Sequence, residues 1–161
     1  MKELEEAAAR VVREYTAAGK TLGAAESLTG GMICASVAGV SGASAVLMGG
    51  VVSYDPRVKR EVLGVSLHTV ETLGVVSRAC AMEMAAGARR LLKTDVAVSA
   101  TGVAGPSGGT EENPVGTVWL GVSTAQGERA LRFQFEGDRQ SVREQSATEA
   151  LTMALDALAR A

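Results

Sequence analysis

The chain of 161 residues is 47% hydrophobic and 21% charged, with 16 Lys and Arg against 18 Asp and Glu and a formal net charge of −2. A single ordinary globular domain over 1–161, burying about two-thirds of its unfolded surface, is expected at this size. The near-balance of charge excludes the cationic field on which sequence-independent nucleic-acid or membrane-surface binding depends. Cys34 and Cys80 have no second thiol or histidine at ligand spacing, which predicts two buried, reduced thiols rather than a disulfide scaffold or a metal site. The charged, amphipathic N-terminus is not a basic head followed by an apolar run, and no apolar segment reaches about 18 residues, so a soluble, unexported, cytoplasmic protein is expected.

Apolar residues recur at helical spacing from Leu4 to Tyr15, and Gly19 stands where a glycine stop ends a helix near Ala18. Thr21 to Ala25 reads as a strand, Glu26 to Gly31 as a polar turn, and Met32 to Val40 as a helix. Val46 to Tyr54 is a β-branched, glycine-interrupted strand that delivers Tyr54 to its own end, and Asp55-Pro56 starts a short helix over Arg57 to Leu63. Ser77 caps a helix running through Lys93, and Asp95 to Ala100 alternates into a strand that stops at a loop over Thr101 to Thr110. Gly116 to Thr124 and Arg129 to Phe135 flank a hairpin turn at 125–128, and Asp138 to Arg160 closes the chain as a long amphipathic helix. The pattern predicts an α/β fold, a three-layer α/β/α sandwich around a mixed parallel and antiparallel sheet.

Many of the 19 glycines fall just after predicted strands, where open α/β sheets bind ligands. In Ser27-Leu28-Thr29-Gly30-Gly31 the amides that open the next helix can face an anion such as a phosphate, or the segment can be an N-cap followed by close helix packing. The ten residues Thr101 to Thr110 carry four glycines and a proline and make an ordered, backbone-exposing turn. That loop lacks the Gly-Lys-Ser/Thr ending of a P-loop and the six-residue dinucleotide fingerprint, so neither an NTPase nor a nicotinamide-dependent dehydrogenase is indicated. The one histidine, His68, reads as an exposed helix residue, and no Gly-x-Ser-x-Gly elbow is present, which disfavours a Ser-His-Asp triad. A Ser or Thr activated by a desolvated lysine is the remaining metal-free hydrolytic route. Of the four lysines, Lys2, Lys20 and Lys93 sit at chain or helix ends, whereas Lys59 follows a glycine-rich strand end and is either that base or a solvated first-turn residue.

Three blocks taken together are familiar: 25–31, then Gly42-Ala43-Ser44-Ala45 through Gly50 to Tyr54 and Lys59, then 101–110 with Pro114-Val115-Gly116. In order and over nearly the whole chain, they resemble the CinA C-terminal domain family, the nicotinamide mononucleotide (NMN) deamidases also called PncC. The resemblance implies hydrolysis of the NMN carboxamide to nicotinate mononucleotide and ammonia, with a Ser/Lys pair, no metal and no cofactor. Carried onto this sequence, it implies Ser44 as nucleophile, Lys59 as general base and Tyr54 as the motif tyrosine. It further implies Glu26, Ser27, Thr29, Gly30 and Gly31 as substrate-positioning residues, Thr101, Gly102, Gly105, Gly108 and Gly109 as a second wall, and Arg139 as a partner for the phosphate. Two positions depart from the family pattern: Pro56 where Asn is common and Asn113 where Lys is common. Nothing before the first helix supplies the nucleotide-pyrophosphatase-like domain of the longer members, so the stand-alone form is expected.

A non-catalytic nucleotide-binding or competence-related interaction module is the competing reading, and an amidase for another pyridine or ribosyl substrate is a third. A homodimer is expected, because the alanine-rich last helix and the aliphatic faces of 77–93 offer more apolar surface than a small three-layer core needs.

Overall fold

The computed structural model describes residues 2–161. In chain order the elements are α1 (Lys2–Ala18), β1 (Leu22–Glu26), α2 (Met32–Ala38), β2 (Leu47–Val52), α3 (Pro56–Glu61), α4 (Arg78–Leu92), β3 (Val96–Gly102), β4 (Thr117–Thr124), β5 (Gly127–Gln134) and α5 (Arg139–Ala157). The strands form one sheet in the order β2-β1-β3-β4-β5. β1 pairs in parallel with β2 and β3, while β4 is antiparallel to both β3 and β5. The mixed three-layer sandwich expected from the sequence is therefore the fold.

Period-two alternation decides which residues face which helical layer. Leu22 and Ala24 of β1 and Val96, Val98 and Ala100 of β3 pack with α1, α2 and α5 in the larger core. Ala25 and Ala97 point the other way, towards Cys80, Met84 and Ala88 of α4. Much of the apolar surface of these two helices is used inside the chain: Ala147, Ala150, Ala154 and Ala157 of α5 are buried in the first cluster, and Cys80, Met84 and Ala88 of α4 in the second. Leu91 near the end of α4 stays exposed, as do Met48 and Val52 on the edge strand β2. No helix among the described residues is long and apolar enough to cross a membrane.

Where the structure departs from the sequence-based boundaries, local bonding explains it. β3 runs two residues further than predicted, because Thr101 and Gly102 continue the antiparallel ladder to Trp119 and Val118. β2 ends at Val52, so Tyr54 sits beyond the strand, and α3 begins at once because Asp55 accepts from the Arg57 amide at 2.8 Å and Pro56 occupies the first turn. His68 is exposed at the start of a π-helical turn, Thr69–Leu73, which no periodicity or motif announces. Cys80 is buried as expected, whereas Cys34 is half-buried, and burial pushes the Cys34 thiol up to about 12 and the Cys80 thiol up to about 11.

The turn after β1 is built differently from an anion cradle. Glu26 is completely buried, and its carboxylate accepts from the amides of Gly31 (3.2 Å), Ile33 (2.9 Å) and Cys34 (3.0 Å). The donors that would have bound a phosphate at the start of α2 are consumed by the chain's own carboxylate. Glu26 is thus the cap of α2 and cannot touch a substrate.

Two substitutions test this packing. Glu26→Ala leaves three amides, one buried and two part-buried, without their acceptor, at a cost of about 3 kcal/mol, and should lower Tm by about 10 °C, whereas Glu26→Gln, which keeps one acceptor oxygen, should lower it less. A Tm for Glu26→Ala equal to wild type would contradict the cap. Gly87 lies inside α4, where Ala is normally the better helix former by about 1 kcal/mol. A Cβ there would sit 1.9 Å from the Leu63 carbonyl oxygen, so Gly87→Ala should instead lower Tm in thermal melts, by the equivalent of about 1–3 kcal/mol.

Candidate active site

The carboxyl ends of β1, β2 and β3 lie on one edge of the sheet, and the chain leaves β1 for β2 on one side before returning to β3 on the other. This reversal opens a crevice beyond β1, the usual ligand position in an open α/β sheet. Ser27 is the first residue past β1, its amide held by the Ala100 carbonyl at 2.9 Å. Ser53 is the first past β2, its amide held by the Glu26 carbonyl at 2.7 Å. The cap at Asp55 starts α3 so that Lys59, one turn in, is directed back beneath both strand ends and is 1% exposed.

Lys59 Nζ donates to the carbonyls of Ser53 (2.7 Å) and Tyr54 (3.2 Å) and lies 3.1 Å from Ser27 Oγ. Burial holds this amine below the ordinary lysine range, and the nearby Cys80 and Asp55 offset part of that effect. Carbonyl oxygens only accept. In the neutral amine the two N–H bonds therefore go to the two carbonyls, and the lone pair is left facing the Ser27 hydroxyl. The arrangement can take the serine proton, the step by which a lysine activates a hydroxyl nucleophile.

The Ser44/Lys59 pairing implied by the resemblance does not form. Ser44 is exposed in a 3₁₀ turn, Ala43–Ala45, that leads into the amino end of β2, whereas Lys59 follows its carboxyl end. The six residues of β2 between them span about 20 Å.

Ser27 and Lys59 open into a cleft of about 300 Å³ that is also lined by Tyr54, Thr101, Gly102, Gly105, Gly108 and Arg139. Thr101 donates its hydroxyl to the Val75 carbonyl at 2.7 Å and so fixes Val75 and Val76 as an apolar wall, which the sequence reading missed for want of any motif. Arg139, at the first turn of α5, donates to the Gly105 carbonyl (2.8 Å) and to the Tyr54 hydroxyl (2.9 Å), linking the glycine loop to the β2–α3 junction. No acidic side chain lines the cleft, so with Arg139 it favours an anionic ligand. Among the described residues the Gly105 and Gly108 amides have no acceptor within the chain.

Other expected site residues lie outside. Thr29, fully buried, and Gly30 and Gly31 shape the turn without lining the cleft, and Gly109 packs so closely that a Cβ would stand 2.8 Å from the Val115 amide nitrogen. Of the two departures from the family pattern, Pro56 lines the cleft and Asn113 does not; Asn113 closes the loop by accepting from the Thr110 amide at 2.9 Å. No group of three or more His, Cys, Asp or Glu side chains converges among the described residues.

Residues 4–158 match the family model described as the CinA C-terminal domain. The chain is 41% identical over 92% of its length to the nicotinamide-nucleotide amidohydrolase PncC of Escherichia coli K12, covering 91% of that protein. It is 43% identical over 93% of its length to a CinA-like protein of Thermotoga neapolitana, of which it spans only 36%, so the chain covers about a third of such longer relatives. Among solved structures it is similar to the competence/damage-inducible protein from Agrobacterium tumefaciens, with TM-score 0.90, 38% identity and coverage of 97% of this chain and 95% of that one. A CinA superfamily protein from Klebsiella pneumoniae gives TM-score 0.93 at 34% identity, covering 98% and 99%. With the match extending across all five strands and the helices that carry the cleft, the chain belongs to the CinA C-terminal domain family.

Proposed function

We propose that this protein is a nicotinamide-nucleotide amidohydrolase that converts NMN to nicotinate mononucleotide and ammonia, with Ser27 as nucleophile and Lys59 as general base. The observation that carries the reading is the 3.1 Å contact between Lys59 Nζ and Ser27 Oγ, made by an amine whose other partners are two carbonyls. The name of the E. coli relative supports the substrate class. Ser27 passes its proton to Lys59 as Oγ adds to the carboxamide carbon, forming a tetrahedral oxyanion. Lys59 then returns that proton to the nitrogen, the C–N bond breaks, and ammonia leaves an ester on Ser27. Water, deprotonated by the same amine, attacks the ester carbonyl and releases the carboxylate and the free serine. Arg139 and the Gly105 and Gly108 amides take the phosphate, and Val75 and Val76 bound the pyridine ring. No metal takes part.

Ser27→Ala should reduce ammonia release from NMN by about 10⁴-fold or more while Ser44→Ala stays at wild-type activity; the reverse pattern would overturn the assignment. Lys59→Arg should be nearly as inactive as Ser27→Ala, because a guanidinium does not deprotonate. Only the neutral amine is a base, and burial lowers the pH at which it forms, so kcat/KM should rise with pH below the ordinary lysine pKa of about 10.4. A flat profile there would contradict Lys59 as base. Arg139→Ala should raise KM for NMN by about 10-fold or more with a smaller change in kcat, and nicotinamide, which lacks the phosphoribosyl group, should be a poor substrate. Activity should survive EDTA; its loss and return with zinc or manganese would sink the metal-free mechanism.

A further inference from the structure

Arg143 lies one turn beyond Arg139 on α5, is half-buried and does not line the cleft. Its guanidinium nonetheless reaches 115 residues back along the chain, to the turn that carries Ser27. Nε donates to the Leu28 carbonyl at 2.9 Å, one terminal nitrogen to the Thr29 carbonyl at 3.1 Å, and the other to the Gln140 side-chain oxygen at 3.0 Å. The amides of the turn can be accounted for one by one. Ser27 donates to Ala100, Gly30 to the Ser27 carbonyl, Met32 to Thr29, and Gly31, Ile33 and Cys34 to Glu26. From Ser27 to Cys34, only the Leu28 and Thr29 amides have no acceptor within the chain.

Both of these amides stand at the end of a hydrogen-bonded relay that begins at Arg143. In a planar trans peptide the C=O of one residue and the N–H of the next point in opposite directions. Pinning the Leu28 carbonyl therefore sets the Thr29 N–H directly. Pinning the Thr29 carbonyl sets the Gly30 N–H, which donates at 3.0 Å to the Ser27 carbonyl, whose own peptide ends in the Leu28 N–H. Charge-assisted bonds at the head of such chains polarise the donors at their tails. The amide of the residue after a serine nucleophile is a common oxyanion donor, and Leu28 lines the cleft beside Ser27.

We propose that Arg143 is a positioning residue that, through the pinned Leu28 and Thr29 carbonyls, orients and polarises the Leu28 N–H as the oxyanion donor for the tetrahedral intermediate on Ser27. The inference rests on Ser27 being the nucleophile, as proposed above. Because this donor engages the oxyanion rather than the bound substrate, the effect falls on kcat.

The test is steady-state NMN hydrolysis by Arg143→Ala, Arg143→Lys and Ser27→Ala, assayed well below the Tm of each. Arg143→Ala should lose about 10- to 100-fold in kcat with KM within about twofold and an unshifted pH profile, since Lys59 is untouched. Arg143→Lys, which restores one point charge without the fork, should fall between Arg143→Ala and wild type. Millimolar guanidinium should recover part of the Arg143→Ala rate. Wild-type kcat in Arg143→Ala beside an inactive Ser27→Ala would overturn the positioning role alone. A loss of kcat that tracks a fall in Tm, and that neither lysine nor guanidinium restores, would also overturn it, by assigning Arg143 to stability. An active Ser27→Ala would instead bring down Ser27 as the nucleophile, the reading on which this inference rests.

Discussion

Lys59 holds its amine beneath the ends of two parallel strands with almost no access to water, and the site is arranged around that fact. A lysine in such a place must either carry its charge without solvent, at a cost of several kcal/mol, or shed the proton. The polar groups bonded to the nitrogen are the Ser53 and Tyr54 carbonyls and the Ser27 hydroxyl. Two of these can only accept, so the neutral amine is satisfied and its lone pair has one destination. The fold fixes all three partners: Ser27 and Ser53 follow adjacent strands in register, Glu26 opposite Val52, and Tyr54 leads into the Asp55 cap that starts the lysine's own helix.

The serine turn is held from two sides with opposite charge. From within, Glu26 collects the amides that begin α2; from the α5 side, Arg143 collects the carbonyls of Leu28 and Thr29. A buried carboxylate and a half-buried guanidinium thus act on one short stretch of backbone without meeting each other. Side-chain clamps of this kind leave little freedom in a loop that is otherwise rich in glycine, and they carry no sequence signature beyond their residue types. The cleft is completed by the Gly105–Gly108 loop after β3 and by Arg139 after β5, so every wall except Val75 and Val76, which precede α4, comes from a segment leaving the same edge of the sheet.

Much of this was legible in the sequence and some was not, for identifiable reasons. Strand and helix periodicity located all five strands and the helices that flank them, because each element buries one face. Lys59, Tyr54, Arg139 and the glycine loop were singled out and line one cleft. Ser44 was not distinguishable from Ser27 by residue type, yet topology separates them. In parallel strands the residues that follow the carboxyl ends meet, and a serine that precedes its strand lies at the far edge. Ser27 and Lys59 both follow their strands, and Ser44 does not. Glu26 was misread as a substrate contact because a carboxylate beside a glycine turn gives no sign, in one dimension, of whether it faces the cleft or the helix behind it. Val75, Val76 and Arg143 belong to no motif, and only the packing of the π-helical segment and of α5 brings them to the site.

That Lys59 is an amine whose proton is loosened by burial and which is aimed at Ser27 can be examined without any substrate. The chain has four lysines, so a ¹⁵N-lysine NMR titration of the folded protein, with the Lys59 resonance assigned by its absence in Lys59→Met, reports each side-chain nitrogen separately. Lys59 should lose its proton below the ordinary lysine pKa of about 10.4, and Ser27→Ala should perturb this resonance whereas Ser44→Ala should not. A Lys59 signal that titrates in the ordinary range, or that responds to Ser44 rather than Ser27, would overturn the pairing.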